Sequence, residues 1–266
     1  MNNIRYVAIL SVLCLVLTFC MGCTTQGNTP ATTIAQKTPL VQETVTLAEP
    51  ASAVAPQGNA SIIAQLAAVQ SNNPVWLEAY RMFNNMKKTE YIHKTFVDES
   101  KGIYDFDCLG FVDTVLKNAD PAAYAAISHN YAKPSIAQYA GYIDKLDPKV
   151  PNAAGWSRVT RPIDLKPGDV CLWLKPTTLD LGHMWIIAGQ PTINPSQTNE
   201  VLVRILDSDG AHADDSRSLQ KYKYGLGTGI LGMMVDNAGT PIGLYWNTSA
   251  SSLGELDTTI VCARLN

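Results

Sequence analysis

The stretch Tyr104 to Val112 reads Tyr-Asp-Phe-Asp-Cys-Leu-Gly-Phe-Val, which places a cysteine between an acid and an apolar run. A thiol becomes a nucleophile when its thiolate is favoured, and a helix start does this through its partial positive charge and free N–H groups. Cys108 stands where an acidic, turn-like segment passes into a helical pattern. The same position would aim its backbone N–H at a reacting carbonyl as an oxyanion donor. A cysteine before an apolar helix can equally be a small core residue. The choice rests on whether a base can reach it. The chain has four histidines, His93, His129, His183 and His212. His93 and His129 lie in polar segments. His183 opens the apolar strand Gly182-His183-Met184-Trp185-Ile186-Ile187-Ala188-Gly189, where an imidazole at the strand edge could meet a thiol on a helix packed against the sheet. A third group must hold that imidazole. The next strand pattern, Val201 to Asp207, ends in an acid on the face shared by Val203 and Ile205. Asp207 is either that partner or an ordinary strand-ending turn acid.

The elements that would position these residues follow from the patterning. Order is expected from about Asn59, with Ile62, Ile63, Leu66 and Ala67 at helical spacing. Asn73-Pro74 reads as a cap followed by a first-turn proline, and Trp76, Tyr80 and Phe83 form a stripe that suits a core. Helices are expected over Leu109–Lys117, from Asp120-Pro121 onward and over Ser135–Ile143. Lys166-Pro167-Gly168-Asp169 then marks a turn, after which strand-like runs take over. These are Val170–Leu174, His183–Ala188, Val201–Leu206, Ile230–Val235, Ile242–Trp246 and Ile260–Ala263, with a hairpin turn at Asp236–Gly239. Helices first and antiparallel strands later describe an α+β layout.

Three motifs recur in a familiar order: Asp107-Cys108-Leu109-Gly110-Phe111-Val112, Leu165-Lys166-Pro167-Gly168-Asp169, and the glycine-bounded strand that carries His183. Together they resemble the NlpC-type cell-wall peptidases, papain-like cysteine hydrolases of bacteria. The resemblance runs from about Tyr91 to the C-terminus. It implies a papain-like NlpC-type fold, with N-terminal helices packed on a central antiparallel sheet. It assigns Cys108 as nucleophile and His183 as base, puts Asp207 where the family carries a polar third member, and matches Tyr91 to a tyrosine that lines the site. It further implies a peptide or amide bond in peptidoglycan as substrate and no cofactor. Two features depart from the family pattern. Leu109 replaces the usual serine, and the 75 residues from Cys108 to His183 (183 − 108) make a long helical insert that would reshape the groove. The same Cys–His pair would also suit an amidase or acyltransferase acting on a substrate outside the wall, and the scaffold could serve as a silent envelope-binding domain.

The segment Leu206 to Arg217, Leu-Asp-Ser-Asp-Gly-Ala-His-Ala-Asp-Asp-Ser-Arg, lacks the spacing and closing glutamate of a calcium loop. A metal site at His212, Asp214 and Asp215 is the less favoured alternative to a loop near the catalytic mouth, and no metal is expected there. Arg217 is expected to pair with Asp214 or Asp215, or to bind a substrate carboxylate. Gly225-Leu226-Gly227-Thr228-Gly229 has no following lysine for a phosphate loop and reads as a flexible turn.

The N-terminal region is expected to lie outside the fold. Arg5 precedes the apolar run Val7 to Leu17, the pattern of a secretory signal (residues 1–22), and Gly22-Cys23 resembles a bacterial lipobox. Cys23 would then carry lipid and tie the chain to a membrane, and an outer-membrane site facing the periplasm is expected. Residues 23–58 have no apolar period and suit a tether, with the catalytic domain over 59–266. Of six cysteines, Cys108, Cys171 and Cys262 remain in the body. The odd count argues against a disulfide framework, and Cys171 and Cys262 read as buried thiols in apolar strands. A net charge of −3 offers no basic excess for nucleic acid.

Overall fold

The computed structural model describes residues 59–129, 131–175, 182–219, 224–250, 254–256 and 258–266. The signal segment, Cys23 and the tether lie outside the described residues. Helix α1 (Asn59–Ala67) leads into α2 (Pro74–Asn85). Asn73 caps α2 as its sequence suggests: its Oδ1 accepts from Val75 N at 2.9 Å and Trp76 N at 3.2 Å. Its Nδ2 donates to the Leu265 carbonyl at 2.9 Å, so one side chain starts a helix and ties it to the C-terminus. Three short strands follow, β1 (Lys88–Glu90), β2 (Phe96–Asp98) and β3 (Ile103–Asp105), in the order β1-β3-β2. Then come α3 (Cys108–Ala119), α4 (Pro121–Ser128) and α5 (Ile136–Ile143), capped by Asp107, Asp120 and Ser135.

The remaining chain is almost all strand: β4 (Trp156–Val159), β5 (Val170–Leu174), β6 (Gly182–Ile187), β7 (Thr192–Asn194), β8 (Gln197–Asp209), β9 (Gly225–Val235), β10 (Pro241–Tyr245), β11 (Gly254–Leu256) and β12 (Thr259–Leu265). They form one antiparallel sheet in the order β11-β10-β9-β8-β6-β5-β12-β4, with β7 on β8. The class is α+β. The Asp236–Gly239 turn joins β9 to β10, with Gly239 at φ 81°. Among the described residues no helix is long and apolar enough to cross a membrane.

Each face of the sheet buries its own cluster. Against the helices, Met184, Ile186 and Leu206 meet Trp76, Phe111 and Val115. On the other face Trp173, Trp185, Ile187, Val203, Ile205, Leu231, Met233 and Leu244 pack together, and the sheet curls until β10 touches β12. Strand alternation therefore puts His183 with Trp185 and Ile187, and Asp207 with Val203 and Ile205, on the face turned away from the helices. Helix α3 packs on α2, β6 and β8. In the antiparallel β6–β8 pair, the start of β6 and the end of β8 lie at the same end of the sheet.

Two expectations are corrected. Gly225–Gly229 is not a turn but the first half of β9, paired to β8 from Asp209↔Gly225 through Ile205↔Gly229. Cys171 and Cys262 are not free thiols. They face one another on β5 and β12 with Cα atoms 4.1 Å apart and form a disulfide. An odd count constrains how many cysteines stay single, not which ones strand register brings together. Cys108 is thereby the free thiol among the described residues.

The disulfide spans 91 residues of sequence. Closing a loop of that size should stabilise the fold by roughly 4.6 kcal/mol on the chain-entropy account. The double substitution Cys171→Ala/Cys262→Ala should lower the urea midpoint accordingly, with the bridge in the parent verified by non-reducing peptide mapping. An unchanged midpoint would mean that the strands are held without it.

Candidate active site

Asp107 ends the extended segment and caps α3, its Oδ1 accepting from Gly110 N at 2.6 Å. Cys108 is the first residue of the helix and is 5% exposed. A first-turn N–H has no acceptor a turn earlier, so the Cys108 N–H points out of the helix with the positive end of its dipole. The Ser208 hydroxyl donates to the Phe106 carbonyl at 2.7 Å, which fastens β8 to the residues just before the cysteine.

The Cys108 side chain interacts with the His183 imidazole. His183 Nε2 lies 2.8 Å from Asp207 Oδ2, which leaves Nδ1 for the thiol side. Asp209 Oδ2 stands 3.6 Å from that same Nδ1, on a side chain that is partly exposed. The ring is stacked on Trp185 at 5.8 Å and meets the edge of Trp246 at 5.5 Å, so its plane is fixed from two sides. Burial pulls the His183 pKa down, but the interactions with Asp207 and Cys108 outweigh it and hold the imidazole well above its ordinary range.

Asp207 is completely buried and is the hub of the site. Its Oδ2 also faces His212 Nε2 at 2.9 Å, and Arg217 Nη2 lies 2.9 Å from Oδ1, off the line of a good hydrogen bond. Burial alone would push this carboxyl up; Arg217, His212 and His183 reverse that and hold it well below the usual carboxylate range. His212 Nδ1 donates to the Trp246 carbonyl at 2.6 Å. Both ring nitrogens thus face acceptors, which only the imidazolium satisfies. Its pKa is accordingly raised, the attraction of Asp207 overcoming burial and the opposing charges of Arg217 and His183. Arg217 makes a two-pronged contact with Asp215, Nε to Oδ1 at 2.9 Å and Nη2 to Oδ2 at 2.7 Å, and Nη1 donates to the Gly225 carbonyl at 2.9 Å. Two buried anions, Asp207 and Asp215, are balanced by Arg217 and His212. The Cys108–His183 pair can then ionise internally without changing the net charge.

The β9 glycines make this network possible. A Cβ on Gly227 would lie 2.5 Å from Arg217 Nε, and one on Gly229 would lie 2.5 Å from Asp215 Oδ2. Both positions must be side-chain-free for the buried ions to lie against the strand.

Of the residues singled out from sequence, Cys108, His183 and Asp207 converge. Tyr91 lies beside them in a cleft of about 230 Å³ whose walls include Leu109, Ser135 and Ile136. Burial, with the negative potential of the surrounding acidic groups, raises the Tyr91 pKa, so the phenol stays protonated. For Arg217 the expected pairing with Asp215 is met, with Asp207 as a second partner, while its substrate-binding role is corrected, since it has no exposed surface and cannot meet a substrate carboxylate. His212 lies in the segment after β8 that the sequence singles out, but there it reads only as a metal ligand, and Trp246, which arrives at the end of β10, adjoins no motif and was not legible as a site residue. A larger cavity of about 650 Å³, with His129, Tyr142 and Lys145 in its wall, contains none of these groups. Reactive residues rather than volume mark the smaller cleft as the site.

The donor atoms of His183, Asp207 and His212 lie within 4.8 Å of one another, close enough to share a metal ion. Each is used in a hydrogen bond within the set, and the Arg217 guanidinium beside Asp207 opposes a second cation there. These residues fit an ion-paired network better than a metal centre. Comparison with protein-family models, curated proteins and solved structures returned no match.

The two kinds of shift give stability opposite pH limits. A raised histidine contributes stability that is complete below its ordinary value of 6.5 and is lost as pH climbs through the folded value. A depressed carboxylate contributes above 3.8, and its share is lost as pH falls through the folded value. His212→Gln should therefore reduce the alkaline slope of unfolding free energy while Asp207 and His183 keep the rest. Urea titrations from pH 5 to about 9, above the reference histidine value, would test this. An unaltered alkaline limb would show that His212 is neutral in the fold.

Proposed function

We propose that this chain is a cysteine hydrolase of the papain-like NlpC type, cleaving a peptide or amide bond, with peptidoglycan stem peptides as its substrate class. The observation that carries the reading is a single one: a thiol at the start of a helix faces an imidazole whose far nitrogen rests on a buried, ionised carboxylate. Papain-like catalysis requires that order of groups.

The chemistry follows from the placement. The Cys108 thiol gives its proton to His183, and the thiolate sulfur adds to the substrate carbonyl carbon. The oxygen takes up the negative charge, within reach of the Cys108 N–H. His183 returns its proton to the leaving nitrogen, the C–N bond breaks, and the amine departs from a thioester. Water then loses a proton to His183 and attacks the thioester carbon, and the thiol leaves as the acid is released. Asp207 keeps Nε2 protonated and the ring in plane throughout. Leu109 presents an apolar wall where the family resemblance would place a hydroxyl, which favours an aliphatic group against that side of the cleft.

Incubating the full chain with purified muropeptides should release a product of defined mass. Cys108→Ala should abolish it without loss of fold, and His183→Ala should reduce it by at least about 10²-fold, the lower end of what a positioned base contributes. Muropeptides left intact by the folded parent would direct attention to an amidase or acyltransferase acting elsewhere. Undiminished turnover by Cys108→Ala would end the nucleophile reading.

The proposal includes anchorage through Cys23 at the bacterial envelope, supported by the basic residue, apolar run and Gly22-Cys23 of the N-terminal sequence. Detergent phase partitioning should carry the parent into the detergent phase and leave Cys23→Ser in the aqueous phase. Equal partitioning of the two would remove the lipid from the proposal.

A further inference from the structure

A second acid is buried on the strand that carries Asp207, far from the reacting groups. Glu200 lies seven residues before Asp207 on β8 (207 − 200), roughly 23 Å along the strand, and has no exposed surface. Its Oε1 accepts the Ser249 N–H at 2.9 Å, and its Oε2 accepts from the Ser249 hydroxyl and from Asn194 Nδ2. A Cβ on Gly232 would lie 1.9 Å from Oε1, so β9 has no side chain where this carboxyl group sits. Asn194 Oδ1 in turn accepts from Ser196 N at 3.0 Å within the β7–β8 turn. A second tie, from Gln197 Nε2 to the Tyr245 hydroxyl at 3.3 Å, joins that turn to the end of β10. An apolar residue would fill the position at less cost, because a buried polar group must keep its hydrogen bonds to offset desolvation. What the carboxyl group adds is direction, since it holds both the N–H and the hydroxyl of one residue beyond β10.

Three residues before Ser249 stands Trp246. Its ring meets the His183 ring edge-on at 5.5 Å, and its carbonyl accepts from His212 Nδ1 at 2.6 Å. Tyr245 is the last residue of β10, paired to Gly232 on one side and to Gly254 of β11 on the other. Trp246 therefore opens the chain reversal between two antiparallel strands, and its place depends on how that reversal is held. The contact of its ring with Trp173 at 5.4 Å shares in this. We propose that Glu200 is a positioning residue of the catalytic apparatus, which by holding Ser249 fixes the reversal that sets Trp246 against His183 and His212. The inference rests on the reading of Cys108 and His183 as the reacting pair.

The pH dependence of Cys108 alkylation by iodoacetamide tests this on the full chain, with urea unfolding measured alongside. The thiolate displaces iodide while His183 holds the thiol proton, so the acid limb of the rate reports how well the imidazole is placed. His183 is faced by Cys108, Asp207 and Asp209, and His212 by Asp207, none of them among the Glu200 partners given above. Glu200→Gln should raise the midpoint of the acid limb by about half to one pH unit, the scale of one lost hydrogen bond. Removing the field of an anion would instead ease thiolate formation and lower the midpoint, so the sign separates alignment from charge. Trp246→Ala should also raise the midpoint, and Glu200→Gln should add nothing in that background. Asn73→Ala, which removes the α2 cap, should lower the urea midpoint and leave the acid limb in place. If Glu200→Gln leaves the limb unmoved or lowers it, or shifts it equally in the Trp246→Ala background, Glu200 is a brace for the sheet and the proposal is overturned. Should Glu200→Gln fail to fold, Ser249→Ala removes one donor from the other side of the same contact. It should give a smaller rise of the same sign, and no rise would overturn the proposal. If Cys108 of the folded parent resists the reagent throughout, the nucleophile reading fails and the positioning role falls with it.

Discussion

The site depends on one buried carboxylate. Asp207 has no exposed surface, and an isolated charge in that position would lose its proton-free form to desolvation. It stays ionised because two cations, Arg217 and His212, and a hydrogen bond from His183 converge on it. Each of them in turn needs Asp207. Arg217 would otherwise hold a positive charge in the interior with only Asp215 to answer it, and His212 would have one N–H without an acceptor. The arrangement is costly to build, since taking each ion out of water costs several kcal/mol after relaxation. Its return is a fixed orientation for His183 rather than net stability.

Much of the surrounding architecture can be understood as what this hub requires. Glycines at 227 and 229 let the Arg217–Asp215 pair lie directly on β9. Trp185 and Trp246 clamp the imidazole, and the Trp246 carbonyl takes the outer N–H of His212. The curl of the sheet brings the end of β10, and with it Trp246, over the ends of β6 and β8. The Asp107 cap starts α3 at Cys108, and the Ser208–Phe106 bond holds that start against the strand that carries Asp207. Thiol, imidazole and carboxylate come from three elements, so their alignment is a property of how those elements are fastened.

The insert acts on this frame from outside. Residues of α5 and the segment before it wall the cleft and neutralise Asp107, while Asp113 in the body of α3 accepts from Tyr139 on α5 at 2.7 Å and from Tyr124 on α4 at 3.3 Å. Burial raises the Asp113 pKa to about 6, partly offset by those phenols. The same two helices flank Lys133, whose Nζ lies 2.9 Å from Asp107 Oδ2, and are thereby bolted to the helix that bears the nucleophile.

Local features were readable from the chain because each is decided within a few residues. The Asn73, Asp107, Asp120 and Ser135 caps sit where side-chain oxygens can reach the next turn, and the main strands fall on their apolar runs, with β9 extended by the glycine-rich half that carries no apolar period. The three- and four-residue strands β1, β2, β3, β4, β7 and β11 escaped because they are too short to show a period. Residue type and order along the chain were enough to single out Cys108, His183 and Asp207. Which groups meet was decided only by tertiary structure. The Cys171–Cys262 bridge depends on strand register, the assembly around Asp207 on two turns folding back onto one strand end, and the Lys133–Asp107 pair on where the insert docks. Contacts between residues far apart in sequence are set by the summed packing of whole elements, and no short stretch of the chain carries that sum.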